Sequence, residues 1–152
     1  MIPTGQDVVA EFMEQQDAHE GRGKRGRNVW ICKPNCNNSL NLVMSRGIGI
    51  RCYNNLYDII DYCCGGTGQF VVQKYIEHPL VIEDKKFDIR QWVLIQDFCP
   101  PKIWFYEDCY IRFCADDFSL ENIYNRHIHL TNNSVQKYNK SGNIDKSMWS
   151  MG

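Results

Sequence analysis

The sequence predicts an α+β fold, a largely antiparallel sheet with flanking helices. Three observations predict it. Apolar and polar residues alternate with period two through 28–33, 70–75 and 87–96, as half-buried strands require. Helical spacing governs 6–17 and 56–63. After Phe87 the strands follow one another as a meander with a helical insert, which suits antiparallel pairing. The 152 residues, 43% hydrophobic and 12% aromatic, have the size and composition of one globular domain with a real core.

Thr4 is placed to cap the first helix, in which Val8, Val9, Phe12 and Met13 recur at helical spacing. The basic, glycine-rich run GRGKRGR at 21–27 reads as a solvated loop. The strand over 28–33 is expected to end at Pro34, which has no amide to donate. An asparagine-rich loop follows and closes on RGIGI at 46–50, where two glycines let backbone amides approach an anion. The helix over 56–63 breaks at 65–68 before the strand that contains Phe70. His78 and Pro79 interrupt the chain before the Phe87 strand, and Pro100-Pro101 makes a turn after it. Residues 103–106 and 110–113 read as a hairpin about Glu107 and Asp108. Ser119 caps a short helix through Tyr124, and 127–130 returns as a strand ending in Thr131-Asn132-Asn133-Ser134.

Seventeen Lys and Arg against eighteen Asp and Glu leave a net charge of −1, so the chain as a whole is no nucleic-acid or polyanion binder. Any acidic partner must meet a local patch. Eight cysteines without a secretory leader are expected to be free thiols, most of them small core hydrophobes. No C-x-x-C pair occurs, and no metal site is expected from the cysteines. No apolar run reaches the roughly 18 residues that span a bilayer, so a soluble, cytosolic chain without membrane contact is expected.

Polar groups stand where strand faces should be apolar. Phe70, Val72 and Lys74 share one face and Val71, Gln73 and Tyr75 the other, so Lys74 needs a partner. On the next strand Asp88 and Arg90 project side by side, the plain reading being an exposed ion pair contributing about 0 to 1 kcal/mol. The polar groups on strands or at their ends are Lys33, Arg46, Lys74, Lys86, Asp88, Arg90, Arg112, His129 and Thr131. Cations dominate, and cations converging without carboxylate partners are complemented by a multiply charged anion. A nucleoside triphosphate fits. His127 and His129, two apart on one strand face, offer an alternative as a metal pair.

In order along the chain stand WICKP at 30–34, SRGIGI at 45–50, VVQKYIEHPL at 71–80, KFDIRQW at 86–92, IWFYEDCYIRF at 103–113 and HLTNNSVQK at 129–137. Together these segments resemble the tubulin-tyrosine-ligase-like amino-acid ligases, which have the ATP-grasp fold. WFY followed by YIRF, and NNS after HLT, are most similar to the tubulin glycylase branch, as is Met148-Trp149-Ser150.

The resemblance implies roles. Lys33 would touch the nucleotide phosphates, covered by a flexible loop of Arg46, Gly47, Ile48, Gly49 and Ile50. Gln73, Lys74, Tyr75 and Ile76 would line the adenine, for which backbone groups of an edge strand are well suited. Lys86 and Asp88 would contact the nucleotide, Arg90 would stabilise the transferring phosphoryl group, and Thr131 with Asn132 would hold nucleotide from the far side. Arg112 would hold the carboxylate of the incoming amino acid, with Asn133, Ser134 and Lys137 shaping its pocket. Arg90 and Arg112 would be the catalytic residues. The implied reaction uses ATP and Mg2+: a glutamate carboxylate of the target is phosphorylated and the amine of free glycine attacks the acyl phosphate. Tubulin acidic tails, microtubules and the axonemes of cilia or flagella are the implied partners and places.

Two departures qualify these expectations. Residues 36–44 lengthen a loop that the family keeps shorter. The family's magnesium ligands, an Asp and a Glu-x-Asn pair, would fall beyond residue 152, so 1–152 is expected to be a partial ATP-grasp domain with the metal-binding part absent. Little or no ligase activity is expected of the chain alone, and apolar surface is expected to stay unburied. The alternatives are a non-catalytic nucleotide- or tubulin-binding fragment, with Arg22, Lys24, Arg25 and Arg27 meeting acidic tails, or a polyglutamylase-type ligase.

Overall fold

The computed structural model describes residues 5–20, 27–35, 47–65, 69–139 and 148–150. Two compact units divide the chain: Met1–Pro79 with Leu120–Tyr124, and Leu80–Ser119 with Asn125–Gly152. The α+β class is as expected, but the strands form two antiparallel sheets, one in each unit.

The first unit contains α1 (Gly5–Glu20), β1 (Trp30–Asn35), β2 (Arg51–Tyr53), α2 (Leu56–Cys64) and β3 (Gln69–Lys74), with strand order β2-β1-β3. One face of this sheet makes the core. Trp30 stands opposite Tyr53, and Cys32 opposite Val72. These four pack with Phe12 of α1 and Ile59 of α2, flanked by Val8, Leu56, Tyr62 and Cys63. Buried polar groups are satisfied: the Trp30 indole donates to Asn28 Oδ1 at 2.9 Å, and the Asn28 amide donates to the Phe12 carbonyl at 3.1 Å. Helix α2 starts where the Asn55 side chain accepts from the Tyr57 amide at 2.8 Å.

Pro34 does not end β1. It lies within the strand opposite Phe70, because the β2 ladder covers only Trp30 to Cys32 and leaves one flank of β1 as an edge beyond it. An edge tolerates a residue that cannot donate. Strand β2 has only three residues, too few for periodicity to reveal.

The second unit contains β4 (Val81–Ile82), β5 (Lys85–Phe98), β6 (Pro101–Phe113), α3 (Arg126–His129), α4 (Asn133–Gln136) and β7 (Met148–Ser150), with order β4-β5-β6-β7. Glu83 and Asp84, both at positive φ (49° and 58°), turn β4 into β5. This is the geometry of a two-residue hairpin, hidden in the sequence because Glu-Asp lacks the usual asparagine and glycine. Nearby bonds hold it: Phe118 donates its amide to the Asp84 carbonyl at 2.6 Å, and Lys85 Nζ lies 2.5 Å from Asp117 Oδ1.

Three further expectations fail, two of them in this unit. Residues 103–106 and 110–113 are one strand, β6, and not a hairpin. Glu107 and Asp108 fall in a register shift between the pairs Gln91–Cys109 and Val93–Phe105, so a bulge absorbs them. The stretch expected as a strand at 127–130 is the helical turn α3, started by Asn125, whose side chain accepts from the His127 amide at 2.9 Å. In the first unit's segment, Leu120–Tyr124 forms turns instead of a helix capped by Ser119. Sequence periodicity has little force over four residues, where a local cap decides.

The core of the second unit gathers Ile111, Phe113 and Cys114 from β6 and its end with Ile128, Leu130 and Val135. Trp149 of β7 closes over Phe113, ring centroids 4.7 Å apart. Buried Gln136 receives the Ala115 amide at 3.1 Å and donates to the carbonyls of His127 and Leu130. Among the described residues no helix is long and apolar enough to cross a membrane.

Candidate functional site

In the first unit the site residues sort by sheet face. Register places Lys33 opposite Val71 and Ile31 opposite Gln73, so Lys33 and Gln73 are diagonal neighbours on the face turned away from the core cluster. Lys33 Nζ donates to Gln73 Oε1 at 2.8 Å. Lys74 belongs to the other face, opposite Trp30. Its ammonium pairs with Glu77 and donates to the Val29 carbonyl at 3.2 Å, while Glu77 also accepts the Val29 amide at 2.8 Å. Tyr75 is buried with its amide on the Val29 carbonyl, and Ile76 is exposed. Strand β3 is an edge strand, so one row of its backbone donors and acceptors lies outside the β1 ladder.

The glycine turn has a structural reason of its own. Gly47 and Gly49 hold φ of 92° and 73°, which glycine adopts at little cost. A Cβ on Gly49 would meet Pro34 Cγ at 3.0 Å, and the Gly49 carbonyl accepts from the Tyr62 hydroxyl at 2.6 Å. Ile48 is exposed at the turn and Ile50 is buried. Arg46, the 36–44 loop, and Arg22, Lys24 and Arg25 lie outside the described residues. Arg27 pairs with Glu121.

In the second unit the near half of the β5–β6 hairpin has one charged face and one apolar face. Lys86, Asp88 and Arg90 alternate on β5, with Arg112 directly opposite Asp88 and Tyr110 opposite Arg90. Phe87, Ile111 and Phe113 occupy the reverse face. Asp88 pairs across the strands with Arg112, not with Arg90 beside it. Arg112 Nε donates to Asp88 Oδ1 at 2.8 Å and Nη2 to Oδ2, a two-pronged contact. Thr131 also hydrogen-bonds Asp88, and Lys86 Nζ donates to the His129 carbonyl at 3.1 Å, so the 129–131 segment is bonded to two residues of this charged face.

Electrostatics follow from that geometry. Burial acts to raise the Asp88 pKa, but hydrogen bonds from Arg112 and Thr131 and the charges of Arg112 and Arg90 outweigh it and hold the carboxyl below its ordinary value. The Asp88 hydrogen bond raises Arg112 in turn. The Cys114 thiol, at the end of β6, is pushed up to about 12 by burial. The seven described cysteines are free thiols, but only Cys32, Cys52 and Cys114 are fully buried, fewer than expected for core fillers.

The premise of cations without carboxylates is therefore corrected: Lys74 has Glu77 and Arg112 has Asp88. Sequence spacing signals the first pair, three residues apart, whereas the second needs the register of two strands. Asn132, half-buried, caps α4 through its carbonyl, which accepts the Val135 amide at 2.8 Å. Asn133 and Lys137 are exposed and Ser134 half-buried, with Lys137 Nζ 5.0 Å from the Tyr138 ring centre. The histidine pair dissolves, since residues two apart on a helical turn do not face the same way. His129 is buried, and His127 Nδ1 is buried without a partner among the described residues. Among them, too, no three His, Cys, Asp or Glu side chains gather as a metal site.

Tubulin glycylase 3B of Tetrahymena thermophila is 57% identical over 139 residues, covering 91% of this chain and 11% of the relative. Tubulin glycylase 3D of the same organism is 48% identical over 132 residues, covering 86% of this chain and 12% of that protein. Human tubulin monoglycylase TTLL3 is 46% identical over 117 residues, covering 74% and 14%. The chain thus spans about a tenth of the length of the curated relatives it matches. A family model covers residues 4–152, and with it the paired strands, the glycine turn and the Asp88–Arg112 contact: this chain belongs to the tubulin-tyrosine ligase family.

Proposed function

We propose that this chain is part of an ATP-dependent amino-acid ligase of tubulin glycylase type, one that joins glycine to glutamate side chains of tubulin. The observation that carries the reading is the 57% identity to a tubulin glycylase across 91% of the chain. The charged sheet face of the second unit supports it, because a guanidinium fixed in a sheet is a good receptor for a carboxylate.

The chain's own groups fit a nucleotide. Lys33 and Gln73 share one sheet face, and the outer row of β3 offers backbone donors and acceptors of the kind an adenine edge needs. Gly47 and Gly49 hold the positive φ that lets amides turn toward a phosphate. Bound ATP would supply the phosphoryl group that activates a glutamate carboxylate. Lys33 and Lys86 would neutralise phosphate charge, with Lys74 and Tyr75 lining the base and Ile76 exposed beside them. Arg90, on the charged face, would stabilise the moving phosphoryl group. Thr131 and Asn132 would flank it, and Arg112 would hold the glycine carboxylate, with Asn133, Ser134 and Lys137 around the amino acid. Among the described residues no three His, Cys, Asp or Glu side chains gather to hold magnesium.

Tubulin acidic tails and microtubules are the proposed partners, and the cytoskeleton, including the axoneme of cilia or flagella, the proposed place. The test measures incorporation of radiolabelled glycine and glutamate into tubulin by the full-length protein that contains this chain. Glycine incorporation that Arg90→Ala and Arg112→Ala abolish supports the reading. Glutamate incorporation alone replaces it with a polyglutamylase, and neither amino acid incorporated leaves a binding module.

A further inference from the structure

The glycine turn of the first unit is held from two sides. It covers residues 47–50 and runs straight into β2 at Arg51. On the β1 side Pro34 stands so near that a Cβ on Gly49 would meet its Cγ at 3.0 Å. On the α2 side the Tyr62 hydroxyl donates to the Gly49 carbonyl at 2.6 Å. Gly47 and Gly49 both hold positive φ, and two glycines in four residues leave an untethered turn many shapes. One hydrogen bond from a fixed side chain selects among them.

Tyr62 is itself well seated. Ile59, three residues earlier and so its neighbour along α2, is buried in the core. The Tyr62 ring lies 5.5 Å from that of Tyr53 and meets the Phe70 ring edge-on at 5.2 Å, and the Arg51 guanidinium stands 4.7 Å from its centre. Side chains from β2 and β3 thus aim the hydroxyl. A peptide is planar and trans, so its carbonyl and the amide that follows point opposite ways. Holding the Gly49 carbonyl toward Tyr62 therefore turns the Ile50 amide away from α2.

We propose that Tyr62 is a positioning residue for the triphosphate: its hydroxyl fixes the Gly49–Ile50 peptide so that the Ile50 amide is presented to a phosphate oxygen. This rests on the reading of the glycine turn as the phosphate cover, and it adds a residue of α2, which lies outside every motif named above. Tyr62 touches no ligand and acts only through the turn. An amide that is already aimed loses less freedom on binding an anion than one on a turn free to move. Adenosine has no phosphate, so its binding is indifferent to the turn.

The test is calorimetric titration of the full-length protein that contains this chain, with a non-hydrolysable ATP analogue in magnesium and with adenosine. Wild type is expected to bind the analogue more tightly than adenosine. Tyr62→Phe removes one oxygen and keeps the ring in its seat. It should weaken the analogue about three- to tenfold, leave adenosine within about twofold and leave the melting temperature within about 4 °C. In a Gly49→Ala background, where the added Cβ already forces the turn away from Pro34, the same change should alter analogue affinity less than about twofold. Equal weakening of both ligands by Tyr62→Phe would make the hydrogen bond merely structural and overturn the proposal. So would an analogue affinity that Gly49→Ala lowers and Tyr62→Phe leaves unchanged, or an effect of Tyr62→Phe undiminished in the Gly49→Ala background. Wild type that binds both ligands alike, or Gly49→Ala that leaves the analogue unaffected, would overturn the reading of the turn as phosphate cover as well, a failure distinct from the others.

Discussion

At the base of the β5–β6 hairpin Phe113 is 4% exposed, while Phe105 on the same strand is 71% exposed. Both belong to runs that alternate as strands, and both are aromatic. At the base, β6 has a second neighbour: Tyr110, Ile111 and Arg112 pair with β7, and Trp149 covers Phe113. Beyond the register shift after Gln91, β5 and β6 have, among the described residues, only each other as strand partners. Trp92, Leu94, Phe98, Trp104 and Tyr106 are then exposed, as are Val93, Ile95 and Ile103. A two-stranded ribbon cannot bury either face by itself. Alternation fixes which way side chains point, and neighbours fix whether they are buried.

The largest expected effect is Phe113→Ala, which should lower unfolding free energy by about 3–5 kcal/mol, against no more than about 0.5 for Phe105→Ala. Urea denaturation of both variants checks this, and equal losses would mean that the two halves are packed alike. Thiol reactivity draws the same contrast. Cys99, exposed at the far turn, should react with a disulfide reagent at pH 8 at least about a hundredfold faster than Cys114, buried at the base with its pKa pushed up to about 12. Mass spectrometry of timed samples resolves the two.

Arg112→Ala should cost about 1–2 kcal/mol, discounted from a fully buried pair because the Asp88 side chain is 39% exposed. A smaller loss than that of Arg90→Ala would break the assignment of Asp88 to the cross-strand partner. Acid sharpens the point. Asp88 has a folded pKa below its unfolded value of 3.8, so its contribution is present above pH 3.8 and is lost as pH falls through the folded value. Melting temperatures of Asp88→Asn should therefore fall less steeply below pH 3.8 than those of wild type, the smallest of these effects. Parallel curves would show that the carboxylate is not held by Arg112.

Much of the fold was legible because long elements carry repeated signals. Helix α1, helix α2, β3 and the first half of β5 follow from spacing, the expected Thr4 cap lying outside the described residues, and the motifs around Lys33, Asp88 and Arg112 point to the family. Short elements were not legible. Three-residue β2 and β7 and two-residue β4 have no period to read, and the α3 turn rests on one bond from Asn125. Glu107 and Asp108 look like a turn and lie in a bulge, because hydrogen bonding to β5 on both sides outweighs local turn preference.

Sequence alone determined the chemistry available: which strands alternate, which side chains carry charge, and which family these residues match. Tertiary structure decided the pairing. Asp88 and Arg90 are sequence neighbours on one face, yet Asp88 bonds Arg112, because residues opposed across a ladder are closer than next-but-one residues along a strand, which lie about 6.6 Å apart. Lys74 likewise turns to Glu77 and Lys33 to Gln73. Charge is a property of the residue, but its partner is a property of the register.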